Sequence, residues 1–461
     1  MGPAEHRSGS GNFAATIAVQ QPAIKGRGAK TPVMILYADR LVDGRGGPAR
    51  ENMAVVVAGN LIKEVVPEKH LAIPEGDACE THRFPGATLL PGLIDCHTHT
   101  NMPADGRRGE DVIPDGDDVR LLRSARNVRM ALESGVTTMC DNGAWNHTAF
   151  SLKEGMRQGL VEGPRLLVCG RPVTTTGGHC WYMGGEADGI DGVRRATRQL
   201  IKEGADFIKV MATGGSTLTS DPYRPAYTVE ELRAIADEAH RRNRVVATHC
   251  RCTRGMSNVL EAGLDIIIHG FFADEDSVRR FDPRVAERIA KQGVWVNPTL
   301  HIGRSRIWQL RAKKEREGLT EEEEGLLSRA QEGYEISLQE CRQLIESGVK
   351  LVGGSDCGWG VYPFGQFAHE ISSLAEAGLT PLQAILAGTS SCAEALGILR
   401  RVGTLEARKE ADLLIVEGDP TRDITSLSKV VAVFKGGQKV ATKAAPDRGW
   451  NLIASPGSLS G

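Results

Sequence analysis

Between residues 88 and 356, eight apolar runs of strand length alternate with longer amphipathic segments: TLLPGLIDC, VTTMCD, RLLVCG, DFIKVMA, RVVATHC, LDIIIHG, VWVNPTL and KLVGGSD. Continuous apolar runs, as opposed to alternating ones, suit parallel strands buried on both faces. The segments between them, such as TVEELRAIADEAHRRN and AERIAKQG, have helical spacing and charged outer faces. Eight strand–helix repeats predict an α/β fold, a (β/α)8 TIM barrel, which joins this much chain around one core. The charged stretch RAKKEREGLTEEEEGLLSRAQEG reads as a solvated helical hairpin beside it.

The flanks have another rhythm. From residue 32, and again in GTLEARKEADLLIVEGDPTRDITSLSKVVAVFKGGQKV, short β-branched runs are broken by Gly, Asp and Asn, the pattern of small strands joined by turns. The expected organisation is an N-terminal tail (1–31), a small β-sandwich domain built from both ends (32–88 and 401–445), the barrel (89–400) and a C-terminal tail (446–461). With 41% hydrophobic residues, 25% charged residues and a net charge of -2, the 461-residue chain has no basic stripe for nucleic acid or a membrane surface. No signal-peptide core or spanning-length apolar segment is evident, which implies a cytoplasmic protein. Ten scattered cysteines without CxxC pairs imply reduced thiols, with Cys250 and Cys252 as buried structural ones.

Barrel enzymes place their chemistry at the carboxyl ends of the strands. Those ends carry His97 and His99 on the first run, Lys209 on the fourth, His249 on the fifth, His269 on the sixth and Asp356 on the eighth. The i, i+2 spacing of His97 and His99 turns both imidazoles to one side of a strand. Imidazole and carboxylate together suit zinc, cobalt or manganese. The set suffices for two ions if Lys209 becomes anionic, since an ammonium would repel them. A single strand-end histidine is usually a hydrogen-bonded structural residue, the reading given to His70, His82, His147, His240 and His301. Coincidence does not explain six candidate ligands at the matching ends of five strands.

The pieces PGLIDCHTH, GADFIKVMATGG, VVATHC, AGLDIIIHG, GSDCG and GTLEARKEADLLIV resemble the metal-dependent amidohydrolase superfamily over about residues 32–442. The chain looks most like its imidazolonepropionase-like branch, which includes metal-dependent prolidases, Xaa-Arg-type carboxypeptidases and ochratoxin-type amidases. The resemblance implies that His97 and His99 bind a buried metal and that His249 and His269 bind a more exposed one. It also implies a carbon dioxide-derived carbamate on Lys209 that bridges both ions, and Asp356 as a metal ligand that moves protons. Zn2+ is the expected ion, with Co2+ or Mn2+ as alternatives, and a homo-oligomer is the expected assembly.

The expected reaction is hydrolysis of an amide C–N bond in a small peptide-like or N-acyl amino acid substrate, by a hydroxide shared between the metals. His179, in the glycine-flanked loop TTTGGHCWYMGG, is the candidate oxyanion donor. Arg251 and Tyr223 are candidate substrate contacts; Arg251 suits a carboxylate and departs from the residue often found there in related dipeptidases. A water-facing loop histidine and a structural ion pair are the plainer readings of His179 and Arg251. Competing functions are an N-aryl amide, carbamate, thiocarbamate or phenylurea hydrolase, a cyclic-amide hydrolase or deaminase, and a catalytically silent scaffold. Trp181, Tyr182, Trp359, Tyr362 and Phe364, in loops after the third and eighth runs, suit either an apolar pocket or subunit contacts.

Overall fold

The computed structural model describes residues 33–71 and 79–441; the expected tails, 1–31 and 446–461, lie outside the described residues. The amino-terminal runs form β1 (Val33–Leu41), β2 (Arg50–Ala58), β3 (Leu61–Pro67) and β4 (Cys79–Pro91). The middle carries β5 (Leu93–Thr98), β6 (Val136–Asp141), β7 (Arg165–Val168), β8 (Ile208–Met211), β9 (Val246–Cys250), β10 (Ile266–His269) and β11 (Trp295–Asn297). The chain closes with β12 (Leu413–Glu417), β13 (Val430–Lys435) and β14 (Gln438–Lys439).

Both ends of the chain build one seven-stranded mixed sheet in the order β14-β13-β12-β4-β1-β2-β3. Strand β4 joins its halves, pairing parallel with β1 and antiparallel with β12. Leu36, Val55 and Leu89 share an apolar cluster with Leu413, Ile415 and Phe434, so the two halves cover one another. The first predicted run, TLLPGLIDC, is divided: residues through Pro91 stay in this sheet, and β5 starts at Leu93. Gly92 is the crossing point, because a Cβ there would stand 2.2 Å from Thr137 Oγ1.

The seven middle strands form two parallel sheets, β5-β6-β7 and β11-β10-β9-β8. An isolated parallel bridge, Val173↔Val210, joins the first sheet's following segment to β8. The eighth run is not a regular strand. Residues 351–357 bridge Val296 at one end and Thr98 at the other, and the amides of Gly353 and Asp356 bond to Ala387 and His97 carbonyls. Adjacent glycines remove the side chains that would pack a ladder here, which frees the segment to bend toward the first strand.

Helices follow the strands as the periodicity predicts. Thr228 and Glu231 form a capping box on the helix Val229–His240, and Thr320 and Glu323 form another on Glu321–Glu346. The predicted hairpin is present as Leu300–Glu317 and Glu321–Glu346, linked by Lys313–Glu323 and Lys314–Glu324 ion pairs at 2.5 and 2.8 Å. All ten cysteines are unpaired and nine are buried, Cys250 and Cys252 among them. Among the described residues no helix is long and apolar enough to cross a membrane.

His240 ends its helix 2.9 Å from Asp265 Oδ2, an oxygen that also accepts the amide of Val246 at the start of β9. The hydrogen bond to Asp265 raises the imidazole's pKa. A raised histidine contributes stability that is fully present below its unfolded pKa of about 6.5 and is lost as pH climbs through the folded value. His240→Ala is therefore expected to lower Tm relative to wild type near pH 6, with the deficit shrinking by about pH 9; an equal deficit at both pH values would assign the loss to packing.

Candidate metal centre

The predicted ligands fall into two histidine pairs. His97 Nε2 lies 3.2 Å from His99 Nε2, and Asp356 Oδ1 stands 3.5 and 3.4 Å from these two nitrogens. These three side chains are the one group of His, Cys, Asp and Glu among the described residues whose donor atoms converge tightly enough to hold an ion. In the second pair, His269 Nε2 lies 3.1 Å from His249 Nδ1. The pairs adjoin, with the His97 and His269 ring centres 5.8 Å apart. All four imidazoles are held far toward the neutral form, chiefly by burial, and His99 is pulled down to about 3.

The hydrogen-bond partners decide which nitrogen of each ring carries its proton. His97 Nδ1 faces Asn297 Oδ1 at 3.2 Å and His99 Nδ1 faces the Gly143 carbonyl at 3.1 Å. Asn297 Nδ2 donates to the carbonyl of Gly354, which sets its oxygen toward His97. Both partners are acceptors, so both Nδ1 atoms are protonated and both Nε2 atoms present lone pairs. His249 Nε2 faces the Gly214 carbonyl at 3.1 Å, which leaves Nδ1 unprotonated. Thr299 donates its hydroxyl to the Pro298 carbonyl and accepts from His269 Nδ1 at 2.7 Å, leaving His269 Nε2 unprotonated. Two pairs of lone pairs thus point at each other across about 3 Å. That arrangement is repulsive between neutral rings and is satisfied by a cation, so the residues fit divalent metal.

Lys209 is buried, and its register opposite Ala247 places it one side-chain layer beneath His249. Burial pulls its ammonium down to about 8, opposed by Asp356, while burial pushes Asp356 up to about 7, opposed by Lys209 and Arg251. His269, Thr299 and Asp356 all adopt left-handed backbone, with φ of 68°, 50° and 58°. Each such residue costs about 1–3 kcal/mol, a strain that the surrounding packing holds in place.

His179 lies beside the second pair, its ring 4.4 Å from that of His249 and its Nδ1 2.8 Å from Thr217 Oγ1. Arg251 is half-buried above the Phe271 ring, its Nε has no hydrogen-bond partner, and Tyr223 and Asp356 are within its electrostatic reach. Of the loop aromatics, Trp359 meets His99 with ring centres 5.5 Å apart. Tyr362 and Phe364 are instead buried in the main core. The sequence reading missed the groups that orient the ligands: Asn297, Thr299 and the Gly143 carbonyl. It also missed Asp95, buried between the Ser355 hydroxyl and amide and the amide of His97. Asn297 is the last residue of β11, the strand-end signal that singled out the histidines.

Gly354 matters here for space: a Cβ would stand 2.6 Å from Asn297 Oδ1 and 2.8 Å from His97 Cβ. Removing the Asn297 acceptor releases the His97 tautomer, so Asn297→Ala is expected to weaken metal binding by about 10–100-fold. Titration against a competing chelator measures this, and unchanged affinity would exclude Asn297 from orienting the ligand.

A model of the amidohydrolase family matches residues 88–440. Ochratoxinase from Aspergillus niger is 29% identical over 459 aligned positions, covering 91% of this chain and 89% of its own. Among solved structures, a Xaa-Pro dipeptidase with bound methionine in the active site is similar at TM-score 0.76 and 26% identity, over 88% of this chain and 99% of that one. A prolidase complexed with N-methylphosphonate-L-proline is similar at TM-score 0.74 and 27% identity, with the same coverage. This chain belongs to the amidohydrolase family, hydrolases acting on carbon–nitrogen bonds.

Proposed function

We propose that the chain is a binuclear metal-dependent amidase acting on peptide-like or N-acyl amino acid substrates. In this reading the parallel segments close into a (β/α)8 barrel, supported by the bridges that residues 351–357 make to both neighbouring strands. The observation that carries the function is the pair of facing, unprotonated imidazole lone pairs beside Asp356 and Lys209. His97 and His99 hold one ion, His249 and His269 the other, and Asp356 and carboxylated Lys209 complete the set. Zn2+ suits this mixture of donors, with Co2+ or Mn2+ as alternatives. A cytoplasmic homo-oligomer is part of the same reading.

The depressed Lys209 pKa supports the carbamate, because only the neutral amine adds to carbon dioxide. Loss of one proton from the ammonium gives the amine, and its addition to carbon dioxide forms the N–C bond and releases a second proton, leaving an anionic carbamate. When bound, such ions supply a water nucleophile activated at neutral pH and polarise the substrate carbonyl. Asp356, whose carboxylate oxygen reaches both Nε2 atoms of the first pair, takes the proton from water and hands it to the leaving amine. His179 donates to the developing oxyanion. In this reading Thr217, which accepts the Cys180 amide at 3.0 Å, donates its hydroxyl to His179 Nδ1, and Nε2–H is left for substrate. Arg251, a half-buried cation with no ion-pair contact among the described residues, takes the substrate carboxylate, with Tyr223 beside it.

Amine release from dipeptides, N-acyl amino acids and neutral aryl amides, carbamates and ureas tests the substrate class. Turnover confined to compounds with a free carboxylate is expected; turnover confined to the neutral aryl compounds would overturn it and remove Arg251 from its role. Asp356→Asn should lower kcat by about 10²–10⁴-fold with the fold retained, and an unchanged kcat in metal-loaded protein would exclude Asp356 as the proton carrier. Lys209→Ala should lose bound metal and activity together, with partial rescue by short carboxylic acids. Full metal content in that variant would exclude the bridge.

A further inference from the structure

Threonine precedes the helices Val229–His240, Glu321–Glu346 and Pro381–Ala387, and in each its hydroxyl accepts the amide of the residue three positions on: Thr228 from Glu231, Thr320 from Glu323 and Thr380 from Gln383. This is the ordinary use of the residue, because the first amides of a helix have no partner within it. Thr299 stands at the same place before Leu300–Glu317 and its side chain caps nothing. Its hydroxyl instead donates to the Pro298 carbonyl and accepts from His269 Nδ1 at 2.7 Å. The backbone registers the difference. The three capping threonines have φ of -72°, -73° and -61°, whereas Thr299 sits at 50°, a conformation that a β-branched residue rarely adopts.

The amides that Thr299 leaves open are taken by another helix. Glu370, wholly buried on Phe367–Glu376, accepts the amide of Leu300 on one carboxylate oxygen at 3.0 Å and that of His301 on the other at 2.6 Å. A carboxylate at the positive end of a helix is favourably placed, and its bonds to the amides are charge-assisted. The same two helices are tied a second time, in the opposite direction. Arg304, one turn into Leu300–Glu317, donates to the His369 carbonyl at 2.5 Å and to Glu376 at 2.9 Å, and its Nε donates to His301 Nδ1 at 3.0 Å. Because Phe367–Glu376 follows the segment that carries Asp356, the eighth repeat reaches back to fix the start of the helix after the seventh.

We infer that Glu370 is a positioning residue: it caps the helix that Thr299 would otherwise cap, and so leaves the Thr299 hydroxyl free to hold His269 with Nε2 turned toward His249. The assignment of an ion to His249 and His269 comes from the binuclear reading above, on which this inference rests. Without the carboxylate two buried amides would lack an acceptor, and Thr299 is the residue placed to serve them. Taking them up draws its hydroxyl away from His269, and the imidazole loses the partner that fixes its tautomer.

Titration of the metal-free protein with Zn2+ against a competing chelator resolves the two dissociation constants, and His269→Ala marks the step that belongs to its pair. Glu370→Gln keeps the size of the side chain but offers one acceptor oxygen, with an NH2 group facing the other amide. It is expected to weaken the marked step by about 10–100-fold and to leave the other near its wild-type value. Thr299→Val should weaken the same step to a similar extent, and the double variant should bind no more weakly than Thr299→Val alone, because both changes act through one hydroxyl. A lower Tm with both dissociation constants unchanged would assign Glu370 to fold stability and overturn the inference, as would equal weakening of both steps or additive losses in the double variant. If Glu370→Gln does not fold, Glu370→Asp, which keeps the charge but withdraws it by one methylene, must show the same selective loss, and two unchanged constants in that variant would overturn the inference. A wild-type protein that binds fewer than two ions would overturn the binuclear reading and this inference with it, whereas two ions in wild type with no selective loss in the variants would overturn the inference alone.

Discussion

Three buried imidazoles and a half-buried fourth stand beside a buried lysine and aspartate, and the surrounding structure is arranged around that constraint. Unpaired imidazole lone pairs are costly to bring together, so each ring is held by an acceptor on its far nitrogen: Asn297, the carbonyls of Gly143 and Gly214, and the Thr299 hydroxyl. These four partners come from three separate stretches of chain, around residues 143, 214 and 297–299. The centre therefore exists only when the parallel segments are in register. The left-handed backbones of His269, Thr299 and Asp356 have the same origin, since a strand continuing in extended geometry would carry these groups past the point of convergence.

The scaffold supplies rigidity at each of these points. Asp95 ties the first strand to the eighth segment through Ser355, directly beneath His97 and Asp356. Glu370 accepts the amides of Leu300 and His301 at the start of the hairpin's first helix, just past Thr299. The second helix of that hairpin carries Glu340, which occupies Arg279 and leaves Arg251 unpaired. A helical pair that looks like a solvated appendage in the sequence is in this way coupled to the charge balance at the site. The coupling is electrostatic, between half-buried guanidiniums and the buried Glu340 carboxylate.

Arg251 lies within electrostatic reach of His249 and His269, and Trp359 meets His99 edge-on. Tyr182 stacks on Trp145 and reaches Cys180, the neighbour of His179.

The order of elements and the strand-end residues were legible in the chain itself, because a strand buried on both faces must be continuously apolar and a polar residue at its end is conspicuous. The histidines and Asp356 stand out for that reason, whereas Lys209 stands out as a charged residue inside the apolar β8. Local pattern did not reveal that TLLPGLIDC serves two sheets, or that the eighth run bends around its glycines without forming a regular strand, because both depend on what packs against the backbone. Nor did it separate Trp359, beside His99, from Tyr362 and Phe364, buried in the core: all three are aromatic residues of one loop. Sequence determined which chemical groups reach the strand ends. Only the tertiary structure decided which nitrogens keep their protons and which cation lacks a partner, because hydrogen-bond acceptors and counter-charges distant in the chain meet only after folding.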